Sequence, residues 1–135
     1  MAFEFPQKVL FKHCDPAGIV FFPRYFEMIN DCVEAFFDQG LGVPFHDLHR
    51  VSAVPTAQIK TQFPAPSRHG DHLLFQLNIT KIGRSSADYS MTARCGNETR
   101  LITSATLVHV DANGRPTAWP DQIRNKLQTF RGDTS

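Results

Sequence analysis

Cysteine is scarce in this sequence, and charge of neither sign is in excess. The 135 residues include three cysteines and carry a net charge of +1. A small, odd number of scattered cysteines does not form a disulfide framework. Interspersed charges of nearly equal number give no electrostatic reason to expect binding to nucleic acid. The composition therefore argues against a disulfide-stapled domain and a basic nucleic-acid-binding protein.

The sequence also lacks a long hydrophobic run. Its longest unbroken apolar stretch, Ile19–Pro23, is far shorter than a membrane span. The first residues do not show the basic segment and apolar stretch of a secretory signal. We therefore expect a soluble, cytoplasmic protein with no membrane partner. With 41% hydrophobic and 20% charged residues, residues 1–135 should form one globular domain, with a polar tail from about residue 131.

The spacing of hydrophobic residues predicts a strand, a helix and then several strands. Alternation over Lys8–His13 predicts a short first strand. From Pro23, aromatic and aliphatic residues recur every three or four positions, which predicts an amphipathic helix ending at Gly40 or Gly42. Later alternation predicts four strands, in Ala57–Phe63, Leu73–Thr80, Ser85–Cys95 and Leu101–Val110. A short helix is predicted in Pro120–Phe130.

This order of elements predicts an α+β fold. An antiparallel sheet of about five strands would wrap around one long central helix, because that helix is the only element able to cover the apolar faces of the strands. One helix cannot protect both edges of the sheet. We therefore expect pairing between subunits at a sheet edge.

Asp15 lies in a proline- and glycine-containing loop a few residues before the predicted helix. The start of a helix offers unpaired backbone N–H groups and the positive end of its dipole. Such groups can hold a developing oxyanion, and the N–H of Phe22, just before Pro23, is the candidate donor. Gly18 would let a substrate approach the backbone. The same loop also fits an ordinary turn in which Asp15 caps its own backbone.

The segment His13-Cys14-Asp15-Pro16-Ala17-Gly18-Ile19-Val20-Phe21-Phe22-Pro23-Arg24-Tyr25 resembles the signature of the 4-hydroxybenzoyl-CoA thioesterase family, in its Asp-Pro-Ala-Gly branch. The resemblance implies a hotdog fold and hydrolysis of an acyl-CoA. It implies that Asp15 is catalytic, as nucleophile or as general base, and that the Phe22 amide polarises the carbonyl. A related branch has histidine in place of Phe22, which argues against a histidine-assisted mechanism here.

The resemblance also bears on substrate contacts, cofactors and assembly. No cofactor is expected, since coenzyme A is part of the substrate, and a homodimer or homotetramer would place active sites at subunit interfaces. The loop Gly83–Ser86 resembles the basic CoA-contacting loop of the family only in type. The candidate substrate contacts are Gly18, Val20, Phe21, Pro23, Tyr25, Arg84 and Ser85.

The sequence leaves the substrate and part of the function open. Aromatic residues near the loop favour a small or aromatic acyl group, carried by coenzyme A or by an acyl carrier protein. A hotdog dehydratase or hydratase acting on 3-hydroxyacyl thioesters is an alternative, but it normally needs a histidine in the acid–base pair. A non-enzymatic acyl-CoA-binding module is the other alternative.

Other chemistry-bearing residues have simpler interpretations. Adjacent residues on an extended segment point to opposite sides, so Cys14 and His13 are poorly placed to form a nucleophilic pair, and Cys14 should pack as a small apolar residue. Asp31 and Glu34 fall on the polar face of the helix. Four histidines should be exposed and do not predict a metal site: His46, His49, His69 and His72. Three further cations are weaker candidates for contact with CoA: Arg68, Arg124 and Lys126.

Overall fold

The protein, described from a computed structural model, is built on a five-stranded antiparallel sheet. The structure describes residues 1–48, 50 and 52–132. The strands are β1 (Phe3–Lys8), β2 (Thr56–Gln62), β3 (His72–Ile82), β4 (Ser86–Cys95) and β5 (Glu98–Val108). Their order in the sheet is β1-β3-β4-β5-β2, and every neighbouring pair is antiparallel.

One long helix packs on the sheet. Helix α1 (Phe22–Ala35) continues into a π-helical turn over Phe36–Gly40, which matches the predicted end at Gly40. Pro23 lies in the first turn, where a missing N–H costs no helical hydrogen bond. Two shorter helices, α2 (Phe45–Leu48) and α3 (Asp121–Thr129), follow later in the chain. The predicted α+β arrangement of an antiparallel sheet around one long helix is confirmed.

The core lies between α1 and the inner face of the sheet. Alternate residues of the long strands point inward, as the sequence pattern predicted, because successive side chains of a strand face opposite sides. The side chains buried in this cluster come from both layers and include Tyr25, Met28, Ile29, Cys32, Val33, Phe75, Leu77, Tyr89, Met91 and Leu101.

The predicted first strand was wrong in position. Strand β1 spans Phe3–Lys8, and Phe11–His13 forms a 3-10 turn rather than the end of a strand. The backbone N–H of Leu10 donates to Nδ1 of His13 at 2.9 Å, which closes this turn. Pro6 is compatible with β1 because β1 is an edge strand. The N–H of every second residue of an edge strand faces away from the sheet, so the N–H that proline lacks is not needed there. The alternation of apolar and polar residues therefore placed the strand about five residues too far along the chain.

Strand β2 is the other edge of the sheet and is poorly covered. Six of its seven residues are exposed, and only its β5 side carries a ladder of hydrogen bonds. Such an edge can pair with another strand. Among the described residues, no helix is both long enough and apolar enough to span a bilayer. Part of the predicted polar tail, residues 133–135, lies outside the described residues.

Candidate active site

Asp15 lies in a narrow hairpin that leads into α1. Its backbone N–H donates to the carbonyl of Ile19 at 2.9 Å, and Cys14 and Val20 pair as an isolated antiparallel bridge. Oδ1 of Asp15 accepts the Ala17 N–H at 2.9 Å, so the side chain does cap its own turn. Oδ2 accepts no hydrogen bond from any described residue. One carboxylate oxygen thus fixes the side chain and the other is left for a ligand.

The N-terminus of α1 follows this hairpin directly. Phe21 is its N-cap, with an extended backbone (φ −71°, ψ 123°) and no side-chain cap. The Arg24 N–H donates to the Phe21 carbonyl at 2.8 Å, and Pro23 has no N–H. The Phe22 N–H makes no hydrogen bond to any described residue. A free donor at a positive helix end is the arrangement expected of an oxyanion-binding group.

Gly18 provides the sharp turn of the hairpin. Its φ of 82° is in the left-handed region, and a Cβ at this position would meet no atom within 4 Å. Glycine adopts this φ without the strain that other residues suffer there. The backbone at Gly18 is therefore both tightly turned and open to an approaching ligand.

His13 is a buried residue that holds the hairpin by hydrogen bonds. Its side chain is buried, and burial, reinforced by nearby Lys12, lowers its pKa below the ordinary value of 6.5. The neutral ring accepts the Leu10 N–H at Nδ1, and the His13 carbonyl accepts the Phe21 N–H at 2.9 Å. His13 is thus engaged within the fold, and no hydrogen bond joins its ring to the Cys14 thiol, which lies 3.7 Å from the Leu10 carbonyl.

Aromatic side chains surround the helix start and meet at Phe63, which the sequence patterns did not single out. Phe63 stacks on the buried Tyr25 at a centroid distance of 5.3 Å. It also lies 6.5 Å from Phe22 and 6.2 Å from Phe26. We call Phe21, Phe22, Phe26 and Phe63 the aromatic patch. Phe21, Phe22 and Phe63 are 49%, 58% and 40% exposed, which is unusual for side chains of this size.

A cleft continues from the aromatic patch between α1 and β2. Its volume is about 240 Å³, and Phe26 belongs both to the cleft wall and to the patch. The remaining wall is mostly apolar and includes Ile29, Val33, Val54, Ile59 and Leu107. An apolar acyl group entering beside the Phe22 amide therefore has a surface of the right character next to it.

Arg84 and Ser85 lie far from this site within one subunit. They connect β3 to β4 at the Ile82 end of β3, whereas the Asp15 hairpin pairs with Arg68, near the His72 end. Along β3 these ends are roughly 33 Å apart at about 3.3 Å per residue. The Arg84 carbonyl accepts the Trp119 N–H and an Nη2–H of Arg124, so its loop is held by the C-terminal part of the chain.

The remaining candidate residues lie away from the hairpin or at its margin. Asp31 and Glu34 are exposed on the outer face of α1, and Cys14 is half-buried against the core. His46, His69 and His72 are exposed, whereas His49 lies outside the described residues. Within the described part of the chain, no three His, Cys, Asp or Glu side chains cluster as metal ligands. Of the three weaker cations, Arg68 lies near the hairpin, and Arg124 and Lys126 lie on α3.

Comparison with known families decides the kind of protein. The sequence model of the Thioesterase-like superfamily matches residues 9–127. The chain belongs to this superfamily. The predicted resemblance and the assignment as a thioester hydrolase are therefore confirmed. The match includes the Asp15 hairpin, α1 and the four later strands.

Solved structures of two CoA thioesterases and of a CoA-bound protein have the same fold. A 1,4-dihydroxy-2-naphthoyl-CoA thioesterase from Synechocystis is 20% identical, with a TM-score of 0.82 over 95% of this chain and 96% of its own. A gentisyl-coenzyme A thioesterase is 22% identical, with a TM-score of 0.82 over 94% and 99%. A Staphylococcus aureus protein in complex with CoA is 13% identical, with a TM-score of 0.90 over 100% and 89%. At these identities the similarity establishes the hotdog fold.

Proposed function

We propose that this thioester hydrolase cleaves acyl-CoA thioesters of small or aromatic acids, with Asp15 and the Phe22 amide as its catalytic groups. The observation that carries the proposal is that Oδ2 of Asp15 and the Phe22 N–H at the start of α1 both lack a hydrogen bond to any described residue. Asp15 lies in the hairpin, and Phe22 begins the helix that follows it directly. Solved structures of the same fold that are named as CoA thioesterases support coenzyme A as the leaving group.

The chemistry follows from the two groups. The Phe22 N–H donates to the thioester carbonyl oxygen and stabilises the negative charge that forms there. As a nucleophile, Asp15 attacks the carbonyl carbon, the C–S bond breaks, and the CoA thiolate leaves a mixed anhydride for water to hydrolyse. As a general base, Asp15 instead takes a proton from the water that attacks. Rapid-quench mass spectrometry separates these routes, because only the first adds the acyl mass to the peptide containing Asp15.

Aromatic or small acyl groups fit the surroundings of this site. Phe22 carries the proposed amide on its backbone and an exposed ring on its side chain, and Phe63 lies beside that ring. Aromatic rings favour offset or edge-to-face packing against one another. Gly18, Val20, Phe21, Pro23 and Tyr25 remain the proposed contacts around the reacting carbonyl.

The remaining contacts, Arg84 and Ser85, would come from a second subunit. The exposed β2 edge can pair antiparallel with β2 of another copy. This two-fold pairing would bring the Arg84 end of one sheet toward the Asp15 end of the other. Two sites would then form at the interface of a homodimer, or of a homotetramer built from such dimers.

Mixing two impaired variants tests this arrangement. Asp15→Asn removes the reacting carboxylate, and Arg84→Ala weakens CoA binding, so that its turnover is low when the substrate is kept well below its KM. In an exchanged dimer, one site would contain Asp15 from one copy and Arg84 from the other. Random exchange makes about half of the dimers mixed, and each mixed dimer has one complete site out of two. An equal mixture should therefore regain about a quarter of wild-type activity. A mixture no more active than its components would contradict the shared site.

A thiol-release assay across short, long and aromatic acyl-CoAs tests the function itself. We expect free CoA from the small or aromatic members, and the same panel on an acyl carrier protein distinguishes the two carriers. Release from none of them, together with tight binding, would favour a non-enzymatic acyl-CoA-binding module. Hydration of an enoyl-CoA without thiol release would favour the dehydratase alternative.

A further inference from the structure

A polar cluster beside the hairpin has no role in the proposed chemistry. The turn over residues 66–71, here called the 66–71 turn, is fastened to β5 by Arg100. Nη1 of Arg100 donates to the Pro66 carbonyl at 3.0 Å, to Oγ of Ser67 at 3.2 Å and to Oδ2 of Asp71 at 2.8 Å. Its Nε lies 2.6 Å from Oε1 of Glu98.

The part of the cluster formed by Arg100 and Ser67 is shielded from water, whereas the Asp71 side chain is 28% exposed. Ser67 is fully buried, and the Arg100 side chain is only 12% exposed. The Arg68 N–H and the Arg100 guanidinium, in that order of effect, hold the pKa of Asp71 below its usual range. The ion pair is therefore charged at neutral pH. Removing one partner of a partly buried pair costs more stability than removing one partner of an exposed pair, because the remaining charge is then both unpaired and shielded from water.

The 66–71 turn also holds Ile19–Phe21, the limb of the hairpin that returns toward α1. The Ser67 carbonyl accepts the Val20 N–H at 2.8 Å, and Arg68 pairs with Ile19 as an isolated antiparallel bridge. The other side of this limb bonds to the outgoing limb of the hairpin, because the Ile19 carbonyl accepts the Asp15 N–H and the Phe21 N–H donates to the His13 carbonyl. The return limb is thus held between the outgoing limb and the 66–71 turn, and Phe22 follows it directly.

We propose that Arg100 is a positioning residue that sets the spacing between the Asp15 carboxylate and the Phe22 amide. Arg100 fixes Ser67, Ser67 fixes Val20, and Val20 is two residues from the amide. Arg100 touches neither of the two catalytic groups. This inference rests on the proposed function, because it assigns the cluster a role in that same site.

The test compares purified full-length variants in the thiol-release assay. Arg100→Met removes the guanidinium and keeps an apolar stem, whereas Arg100→Lys keeps a donor and the charge. Asp71→Asn keeps an acceptor for the Arg68 N–H and serves if Arg100→Met does not fold. Arg94→Met is the matched control, since Arg94 is exposed on the neighbouring β4 and its side chain makes no hydrogen bond or ion pair with any described residue.

We expect Arg100→Met to lower kcat on the order of 10- to 100-fold with little change in KM, because misplacement by about 1 Å can cost that much. Arg100→Lys should recover part of the loss, and Arg94→Met should match wild type. Combined with Asp15→Asn, Arg100→Met should add little further loss, because the group that it positions is already gone. Equal kcat for Arg100→Met and Arg94→Met would overturn the inference.

Hydrogen exchange provides a readout that does not depend on the substrate. The peptide containing Val20 should exchange faster in Arg100→Met than in Arg94→Met, while the peptides of β3 and β4 stay protected. Unchanged exchange at Val20 would refute the positioning role even if no acyl-CoA were hydrolysed. Failure of the proposed function looks different: Asp15→Asn would then retain full turnover, whatever Arg100 does.

Discussion

Replacing Phe22 by proline removes the proposed oxyanion donor together with the exposed Phe22 ring. The Phe22 N–H makes no hydrogen bond to any described residue, so none is lost. The site is the first position of α1, where proline is well tolerated. The preceding Phe21 already has the extended backbone (φ −71°, ψ 123°) that a following proline requires. The structure therefore allows Phe22→Pro without a backbone rearrangement.

The matched control is Phe22→Ala, which removes the same 58%-exposed ring but keeps the N–H. Relative to this control, Phe22→Pro should lower kcat by about 10²- to 10³-fold, or about 2.7–4 kcal/mol of transition-state stabilisation. The free energies of unfolding of the two variants should agree within about 1 kcal/mol. Thiol release under saturating substrate gives kcat, and urea unfolding gives the stability. Equal kcat values for two equally stable variants would refute the role of the amide.

Two further predictions concern the hairpin and the aromatic patch. His13 has a lowered pKa, so the stability that it contributes is fully present above pH 6.5 and is lost as the pH falls through the lower folded value. In urea unfolding, wild type should therefore lose stability relative to His13→Asn below pH 6.5, and parallel profiles would contradict this. Phe63→Ala should lower kcat/KM for an aromatic acyl-CoA about two- to tenfold more than for a short aliphatic one. An equal loss for both substrates would remove Phe63 from acyl recognition.

Much of the fold was predictable from the sequence because the core-facing residues repeat with the period of each element. Tyr89, Met91 and Ala93 alternate in β4, and the buried residues of α1 recur every three or four positions. The first strand was misplaced because the pattern over Lys8–His13 also alternates, while a side-chain contact between His13 and Leu10 turns the chain there. Periodicity does not contain that contact.

The candidate site was only partly predictable, for a similar reason. Asp15, Gly18 and Phe22 lie within one short segment, so local spacing places them together. The bonds from Arg100 to Pro66, Ser67 and Asp71 join residues 34, 33 and 29 positions apart. Their meeting depends on the register of β5 and on the course of the 66–71 turn. Phe63 likewise joins the aromatic patch only because β2 ends beside the start of α1.

Turnover by Asp15→Asn decides whether the Asp15 carboxylate is catalytic. The amide keeps an acceptor for the Ala17 N–H, so the hairpin should persist while the reacting carboxylate is lost. Thiol release from the best substrate would be measured beside calorimetric binding of the same acyl-CoA. We expect nearly all turnover to disappear while binding stays close to that of wild type. Wild-type turnover by a folded Asp15→Asn protein would show that the Asp15 carboxylate is not catalytic.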